Sequence, residues 1–556
     1  MSQYIDGQVG ELANYEAFTK AFQLEALARE FAGDFDSGIS AAIECCDHHC
    51  TPGRVALRWE GQNGASSELT FEELRERSSQ FAHFLVSLGI KPGDRVAGLL
   101  PRIPELLVVI IGTWRAGAVY QPLFTAFGPK AVEYRVGSSE AQLIVTDTVN
   151  RHKLDDVSDC PPIMTIAREG ASAPAATDHE FNGTLARFGK TFEPVLRNGQ
   201  DPCMMLFTSG TTGLAKGVAV PHKALMAIHM YMRYAVGLRP DDNYWNIADP
   251  GWAYGLYFGA IGPLLMGQAA TFYDGPFTVD STYQMIDKYG ITNLAGAPTA
   301  YRLLIAAGPE KAQAVKGKLR AVSSAGEPLN PEVIRWFREH LDCPINDHYG
   351  QTELGMVLCN FHALAHPVQP GSAGLPIPGY RLAVVDSGGG EVAPGSQGIL
   401  AVDRDNSPLY YFQGYWRQET SAFVGKYYLT GDMVELGTDG SITFVGRGDD
   451  IITSAGYRIG PFDVESCLIE HPSVAETAVV GKPDPERTEI VKAFIVLKPG
   501  YQPTPELADE LQQMVKRRLA AHAYPREIQF VTDLPKTPSG KIQRFMLRRQ
   551  ETEASA

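Results

Sequence analysis

The run TSGTTGLAKG, Thr208 to Gly217, gathers three glycines, four hydroxyl side chains and one lysine. Glycines let backbone N–H groups approach phosphate oxygens closely, hydroxyls add donors, and Lys216 adds a positive charge. The run follows Met204 to Phe207, an apolar stretch of strand character. Its spacing is not that of a Walker loop, which sets Gly-Lys-Ser/Thr behind a longer spacer. The chemistry these residues suggest is the cradling of a polyphosphate. In Tyr349-Gly350-Gln351-Thr352-Glu353 a carboxylate stands beside a hydroxyl, an oxygen-rich pair suited to Mg²⁺ held against phosphates. Tyr428 to Asp432 puts a carboxylate after a turn, where it can accept both hydrogen bonds of a ribose diol. Gly446 to Arg458 and Pro535 to Lys541 bring further cations onto glycine-containing turns. None of these last four runs is distinctive alone.

The elements that must position them alternate. Phe71 to Leu88 has apolar residues at helical spacing, and Lys91-Pro92-Gly93-Asp94 turns it into a strand, Arg95 to Leu100. A second helical run, Pro104 to Arg115, leads through Gly117 towards Tyr120. Similar units recur near Leu143 to Thr146, Ala269 to Tyr273 and Leu319 to Ser323. Helix, turn and strand repeated in this way predict an α/β fold with a largely parallel sheet under helices. After about residue 375, shorter strands and Gly turns predict a β-rich unit, with a boundary near Gly446 to Asp450. The last hundred or so residues hold an amphipathic helix, Pro505 to Ala521, and a basic segment, Lys536 to Arg549.

With 556 residues, two or more domains are expected. A net charge of −15 argues against a general nucleic-acid binder. The polar N-terminus has no secretory pattern. Ala253 to Phe272 carries no charge, but its glycines, Pro263 and Gln268 predict a buried core segment rather than a membrane span. Eight irregularly spaced cysteines fit reduced thiols in a cytoplasmic enzyme. Cys45 to Cys50 crowds its thiols and histidines too closely to surround a metal, and predicts a helix end.

In this order and spacing the five runs together resemble the adenylate-forming superfamily, which includes acyl-CoA synthetases, peptide-synthetase adenylation domains and luciferases. The resemblance extends over nearly the whole chain. Leu100-Pro101-Arg102-Ile103-Pro104, Arg115-Ala116-Gly117 and Ala248 to Trp252 are similar to the acetyl-CoA and medium-chain acyl-CoA synthetases.

The resemblance implies a large N-terminal AMP-binding domain, residues 1–447, of helix-covered sheets with a β-rich subdomain. It also implies a small mobile α+β C-terminal domain, residues 448–556, hinged near Asp449. Thr208, Ser209, Gly210, Thr211, Thr212 and Lys216 would hold the β- and γ-phosphates of ATP. Gly326, Glu327 and Pro328 would border the adenine with Asp347, His348 and Tyr349, beside Gln351. Thr352 would touch the α-phosphate, Glu353 would hold Mg²⁺, Asp432 and Arg447 would bind ribose, and Arg458 would lie near phosphate. Lys541 would bridge the carboxylate and the α-phosphate, and Gly456 would let the backbone approach the pantetheine of coenzyme A. Ala215 stands where the family has proline. The implied partners are a small carboxylic acid, ATP and CoA, with no nucleic acid and no integral membrane. A lysine acyltransferase and deacylase acting on Lys541 would be a further pair, since acylation removes its charge.

For the acid, the resemblance points to Trp252, Ala253, Tyr254, Ala325 and Gly350. Acetate-type enzymes wall off the acyl pocket with a tryptophan where this chain has Gly350, and Ala253 and Ala325 also replace larger residues. Each added buried CH₂ is worth about 0.8 kcal/mol, so the expected acid is longer than propionate: medium-chain, of about four to ten carbons, or branched or aromatic. Tyr254 adds bulk and a hydroxyl. No acidic residue beside Trp252 offers to pair with an amino acid's amine. An acetate or propionate ligase, or an enzyme loading a carrier protein, is the alternative.

Overall fold

The computed structural model describes residues 13–208, 215–386, 388–454, 457–485, 487–520, 522–536 and 542–555. The helical run after Thr70 becomes the helix Phe71–Ser87, opened by a reciprocal cap. Thr70 Oγ1 accepts from Glu73 N, and the Glu73 carboxylate accepts from Thr70 N at 2.8 Å. Pro104 starts the next helix, Pro104–Arg115, where its missing N–H is harmless, and nearly every residue of that helix is buried. At its end the Arg115 guanidinium, 1% exposed, pairs with Asp47 at 2.5 Å. Gly117, at φ +73°, turns the chain into the strand Val119–Pro122.

The expected helix-covered sheets are present, and the described residues form several. The first has seven strands in the order 216–221, 202–208, 119–122, 95–99, 141–147, 163–166, 179–180, with only the first pair antiparallel. The second runs 244–246, 293–296, 321–325, 345–351, 355–359, 375–376, parallel across its first four strands. Ala270–Asp274, expected to be another unit of the main sheet, instead pairs with Val55–Gly61 in a three-stranded sheet. An apolar strand advertises burial but not its partner. Beyond residue 375 comes an antiparallel sheet built from Leu382–Val385, Gln397–Asp403, Phe423–Val424, Tyr427–Leu436 and Ile442–Arg447. From Ile452 the chain enters a last sheet, covered by the helices Pro461–Ile469 and Pro505–Arg518.

The uncharged stretch from Ala253 packs as short helical turns to Leu265, and its apolar side chains enter the main core. Among the described residues no helix is long and apolar enough to cross a membrane. Cys45 to Cys50 form the expected helix end, and all eight cysteines are free.

Candidate active site

Strand 202–208 ends at Thr208 and strand 216–221 begins at Lys216, and these two residues face each other across the antiparallel pair. The glycine-rich run is therefore the connection of a two-stranded hairpin. Ser209, Gly210, Thr211 and Thr212 lie outside the described residues. The flanks are held firmly. Tyr134 Oη donates to the carbonyl of Ala215 at 2.9 Å, and Trp416 N donates to that of Gly217 at 2.7 Å.

Lys216 Nζ stands 4.8 Å from the ring centre of Tyr415, whose hydroxyl donates to Glu353 Oε1 at 2.8 Å. Glu353 is 7% exposed, and burial pushes its carboxyl above the usual range. One buried carboxylate near a lysine and a run of hydroxyls is a donor set that fits Mg²⁺, which takes few protein carboxylates and shares the rest of its shell with phosphates. Tyr415 was not legible in the sequence. It lies 62 residues from Glu353 and belongs to no motif.

The residues expected to border the nucleotide lie at the C-terminal ends of the parallel strands, where open α/β sheets bind ligands. Gly326 turns the chain at φ +99° with open space around it. The Glu327 carboxylate is held by Arg302 at 2.9 Å and by Thr299, beside the half-buried Pro328. Asp347 Oδ2 accepts from Leu329 N at 3.1 Å, Oδ1 has no protein partner, and burial raises the carboxyl to about 8. Tyr349 Oη donates to Asp432 Oδ2 at 2.5 Å and Gln351 Nε2 donates to the same oxygen at 2.9 Å. Arg447 pairs with Asp432 in the next strand, and its guanidinium reaches Asp449 at 3.2 Å.

His348 departs from expectation. Side chains alternate along a strand, so its ring lies on the face opposite Asp347 and Tyr349. There it is 2% exposed, meets Tyr231 Oη through Nδ1 at 2.8 Å and the Asn360 carbonyl through Nε2 at 3.0 Å. Its register partner is Ala325, on the side assigned to the acid. Gly350 also departs. The register shifts between Tyr349 and Gly350, and a Cβ at 350 would stand 2.1 Å from the Gly355 carbonyl oxygen. The glycine answers to the hairpin backbone rather than to open pocket volume.

Trp252 packs on Phe124 and Phe127, with ring centres 5.4 and 5.3 Å away. Trp252, Ala253, Phe207 and Thr352 border a narrow cavity of about 20 Å³. Thr352 also accepts from Tyr257 Oη through its carbonyl at 3.2 Å. Tyr254 lies against Phe258, and its hydroxyl is buried. Arg458 lies on the strand Tyr457–Ile459, its backbone paired with Thr453, while Gly456 and Lys541 lie outside the described residues.

The family models agree with this arrangement. Residues 47–416 match the model described as "AMP-binding enzyme", and residues 463–541 match "AMP-binding enzyme C-terminal domain". The acetyl-coenzyme A synthetase of Bacillus subtilis (strain 168) is 36% identical, over 98% of this chain and 96% of its own. A crystal structure of Brucella canis acyl-CoA synthetase is 58% identical with a TM-score of 0.80, covering 98% of this chain and 100% of that one. The anthranilate CoA ligase AuaEII in complex with anthranoyl-AMP is 27% identical with a TM-score of 0.85, covering 93% and 98%. The chain belongs to the AMP-binding enzymes and, among them, to the acyl-CoA synthetases.

Proposed function

We propose that this chain activates a carboxylic acid longer than propionate, medium-chain (about four to ten carbons) or branched or aromatic, in two half-reactions at one site. The observation that carries the reading is the linked set Lys216, Tyr415 and Glu353 at the hairpin, facing Asp432 with its two donors Tyr349 and Gln351. One end suits a polyphosphate and the other a ribose.

In the first step a carboxylate oxygen attacks the α-phosphorus, the bond to the β-phosphate breaks, and pyrophosphate leaves. A carboxylate is already ionised at neutral pH, so no general base is required. Charge accumulates on phosphoryl oxygens, so cations do most of the work: Lys216 on the β- and γ-phosphates and Lys541 between carboxylate and α-phosphate. Thr352 adds a donor at the α-phosphate. Mg²⁺ held by Glu353 would neutralise phosphate charge. In the second step the CoA sulfur attacks the acyl carbon and AMP leaves. We assign residues 448–556 to a domain that turns about Asp449 between the steps, withdrawing Lys541 and bringing up Gly456. An acid beyond propionate rests on Ala253 and Ala325, and the ligase in complex with anthranoyl-AMP supports an aromatic one.

The test is pyrophosphate release over a panel of straight-chain, branched and aromatic acids, with and without CoA. Release with longer or aromatic acids, and thioester only with CoA, is expected. A profile peaking at acetate overturns the assignment of the acid.

A further inference from the structure

The turn that follows the helix Ala41–Cys45 brings two thiols onto one acceptor. Cys46 Sγ donates to the Phe71 carbonyl at 3.5 Å, and Cys50 Sγ donates to the same carbonyl at 3.4 Å. The backbone makes this meeting possible. His49 N donates to the Cys46 carbonyl at 3.0 Å and Cys50 N to that of Asp47 at 3.2 Å, which winds Asp47–His49 into one tight turn between the cysteines. The two sulfurs and a carboxylate oxygen of Asp47 lie within 4.8 Å of one another.

Such a set has the ligand types of a soft cation site, but its carboxylate is engaged. Both Asp47 oxygens hold the Arg115 guanidinium, at 2.5 and 2.9 Å, and Arg115 is 1% exposed. Drawing Asp47 to a cation would strip a buried guanidinium of its carboxylate, which is costly. The two sulfurs are what the cluster leaves available, because a thiol is a weak donor and gives up its bond to a carbonyl readily. Among the described residues no other two cysteines share an acceptor: Cys203 donates to the Val220 carbonyl and Cys343 to that of Pro344.

The two thiols differ in access and acidity. Cys46 is fully buried, and Cys50 is half-buried, so a small molecule meets Cys50 first. The Cys46 thiol beside it, with the exposed Arg75 and the Arg115 guanidinium nearby, holds Cys50 below the ordinary thiol range. The same contact, together with burial, pushes Cys46 up. A reachable thiolate next to a second thiol is the arrangement that attacks a disulfide and is then resolved from within the chain. A disulfide is about 2 Å long, so the sulfurs have only the rest of a gap of at most 4.8 Å to close.

We propose that Cys46 and Cys50 form a thiol-modification site, a dithiol that reacts with small-molecule disulfides and closes to an internal disulfide across the Asp47 turn. The Cys50 thiolate attacks one sulfur of the small disulfide, whose S–S bond breaks, and one half leaves as a thiolate. The Cys46 sulfur then gives up its proton and attacks the Cys50 sulfur. The mixed disulfide breaks, and the second half leaves as a thiolate that takes up that proton. The two cysteines lose two electrons in all, and the small disulfide is reduced to two thiols. The bond spans the residue that clamps Arg115 at the end of the helix Pro104–Arg115.

The full-length chain, reduced and freed of reductant, is incubated with oxidised glutathione under native conditions. Remaining thiols are then blocked, and the chain is cut before Asp47 to part Cys46 from Cys50 for mass spectrometry. The wild-type chain should lose two free thiols at this turn, carry no glutathione there, and give the two fragments joined until they are reduced. Cys46→Ser should keep glutathione on Cys50 as a stable mixed disulfide. Cys50→Ser should give neither product at the turn, and Cys45→Ser should still cross-link. Cys46 and Cys50 that stay free in the wild-type chain, whether or not the half-buried Cys160 and Cys467 take up glutathione, overturn the proposal without any variant. So does a wild-type chain that retains glutathione on Cys50 without closing. A cross-link that survives in Cys46→Ser and vanishes in Cys45→Ser overturns it as well.

Discussion

Tyr349 Oη donates to Asp432 Oδ2 across 2.5 Å, joining strand 345–351 to the strand that carries the expected ribose ligand. Gln351 donates to the same oxygen, so these two donors occupy Oδ2, and Oδ1 is the oxygen expected to meet a ribose diol. Tyr349→Phe should raise KM for ATP by about tenfold, since a hydrogen bond to a charged group is worth about 1.5–3 kcal/mol. Asp432→Asn should raise it further. Pyrophosphate release at varied ATP is the measurement, and an unchanged KM in both variants removes Asp432 from the ribose site.

Much of the scaffold was legible because its signals are local. Thr70 and Glu73 announce a helix three residues apart, and Pro104 marks a helix start within its own sequence. The facing of Thr208 and Lys216 follows from one short run between two strands. What was not legible depends on contacts between distant residues. Tyr415 meets Glu353, and Tyr231 meets His348, 117 residues away. The face on which His348 lies, and the reason for a glycine at 350, are set by strand register and a bulge that no periodicity reveals.

Lys541 and Gly456 should separate the two half-reactions. Lys541→Ala should lower pyrophosphate release by about 10²-fold or more, the scale of a lost group that stabilises transition-state charge. It should still form thioester from synthetic acyl-AMP and CoA. Substitution of Gly456 by a bulky residue should do the reverse. Equal loss in both assays for Lys541→Ala contradicts a domain that changes position between steps.

Asp347 gives a pH dependence whose sign can be stated. Burial raises its carboxyl from the ordinary value of 3.8 to about 8 in the folded chain. Between those values the folded state holds a proton that the unfolded state has lost, so stability falls as pH rises from about 4 to about 8. Below that window the contribution is fully present. Asp347→Asn removes the titration, and its Tm should fall less than that of the wild-type protein between pH 6 and pH 8. Parallel Tm curves mean that the carboxyl is ionised throughout.

The segment that carries Lys541 is anchored at both ends. Lys536 pairs with Glu476 at 2.6 Å, Gln543 N donates to the Pro535 carbonyl at 2.8 Å, and Arg544 is clamped by Glu465 at 2.5 and 2.9 Å. Glu465 also accepts from Val479 N at 2.7 Å, while Arg548 reaches Asp450. Glu465→Ala would leave the partly exposed Arg544 guanidinium with the longer contact to Asp450 at 3.9 Å, a loss of about 1–3 kcal/mol for a charged hydrogen bond. The Tm of the variant should drop by several degrees, and pyrophosphate release should suffer more than thioester formation from acyl-AMP. An unchanged ratio of the two activities limits the clamp to stability.

Gly350 is the position where the structure most alters what a substitution should do. Read from the sequence alone, Gly350→Trp restores the wall of an acetate pocket and shortens the preferred acid. Read with the hairpin in place, the first carbon of any side chain meets the Gly355 carbonyl oxygen at 2.1 Å and the Met356 Cα at 2.8 Å. Both are backbone atoms in strand 355–359, whose next neighbours hold Asn360 and the strand Leu375–Pro376. The strand cannot yield without breaking the pairing of Gln351 with Gly355. Even Gly350→Ala should therefore lower Tm, by an amount typical of overpacking, about 1–3 kcal/mol. Gly350→Trp should reduce soluble yield and activity towards every acid together. Shortening the pocket by substitution is better tried at Ala253, which is half-buried at the cavity edge. Ala253→Leu should shift the ratio of kcat/KM towards shorter acids with Tm little changed. A stable Gly350→Trp protein that prefers acetate would show that the hairpin opens to admit the ring.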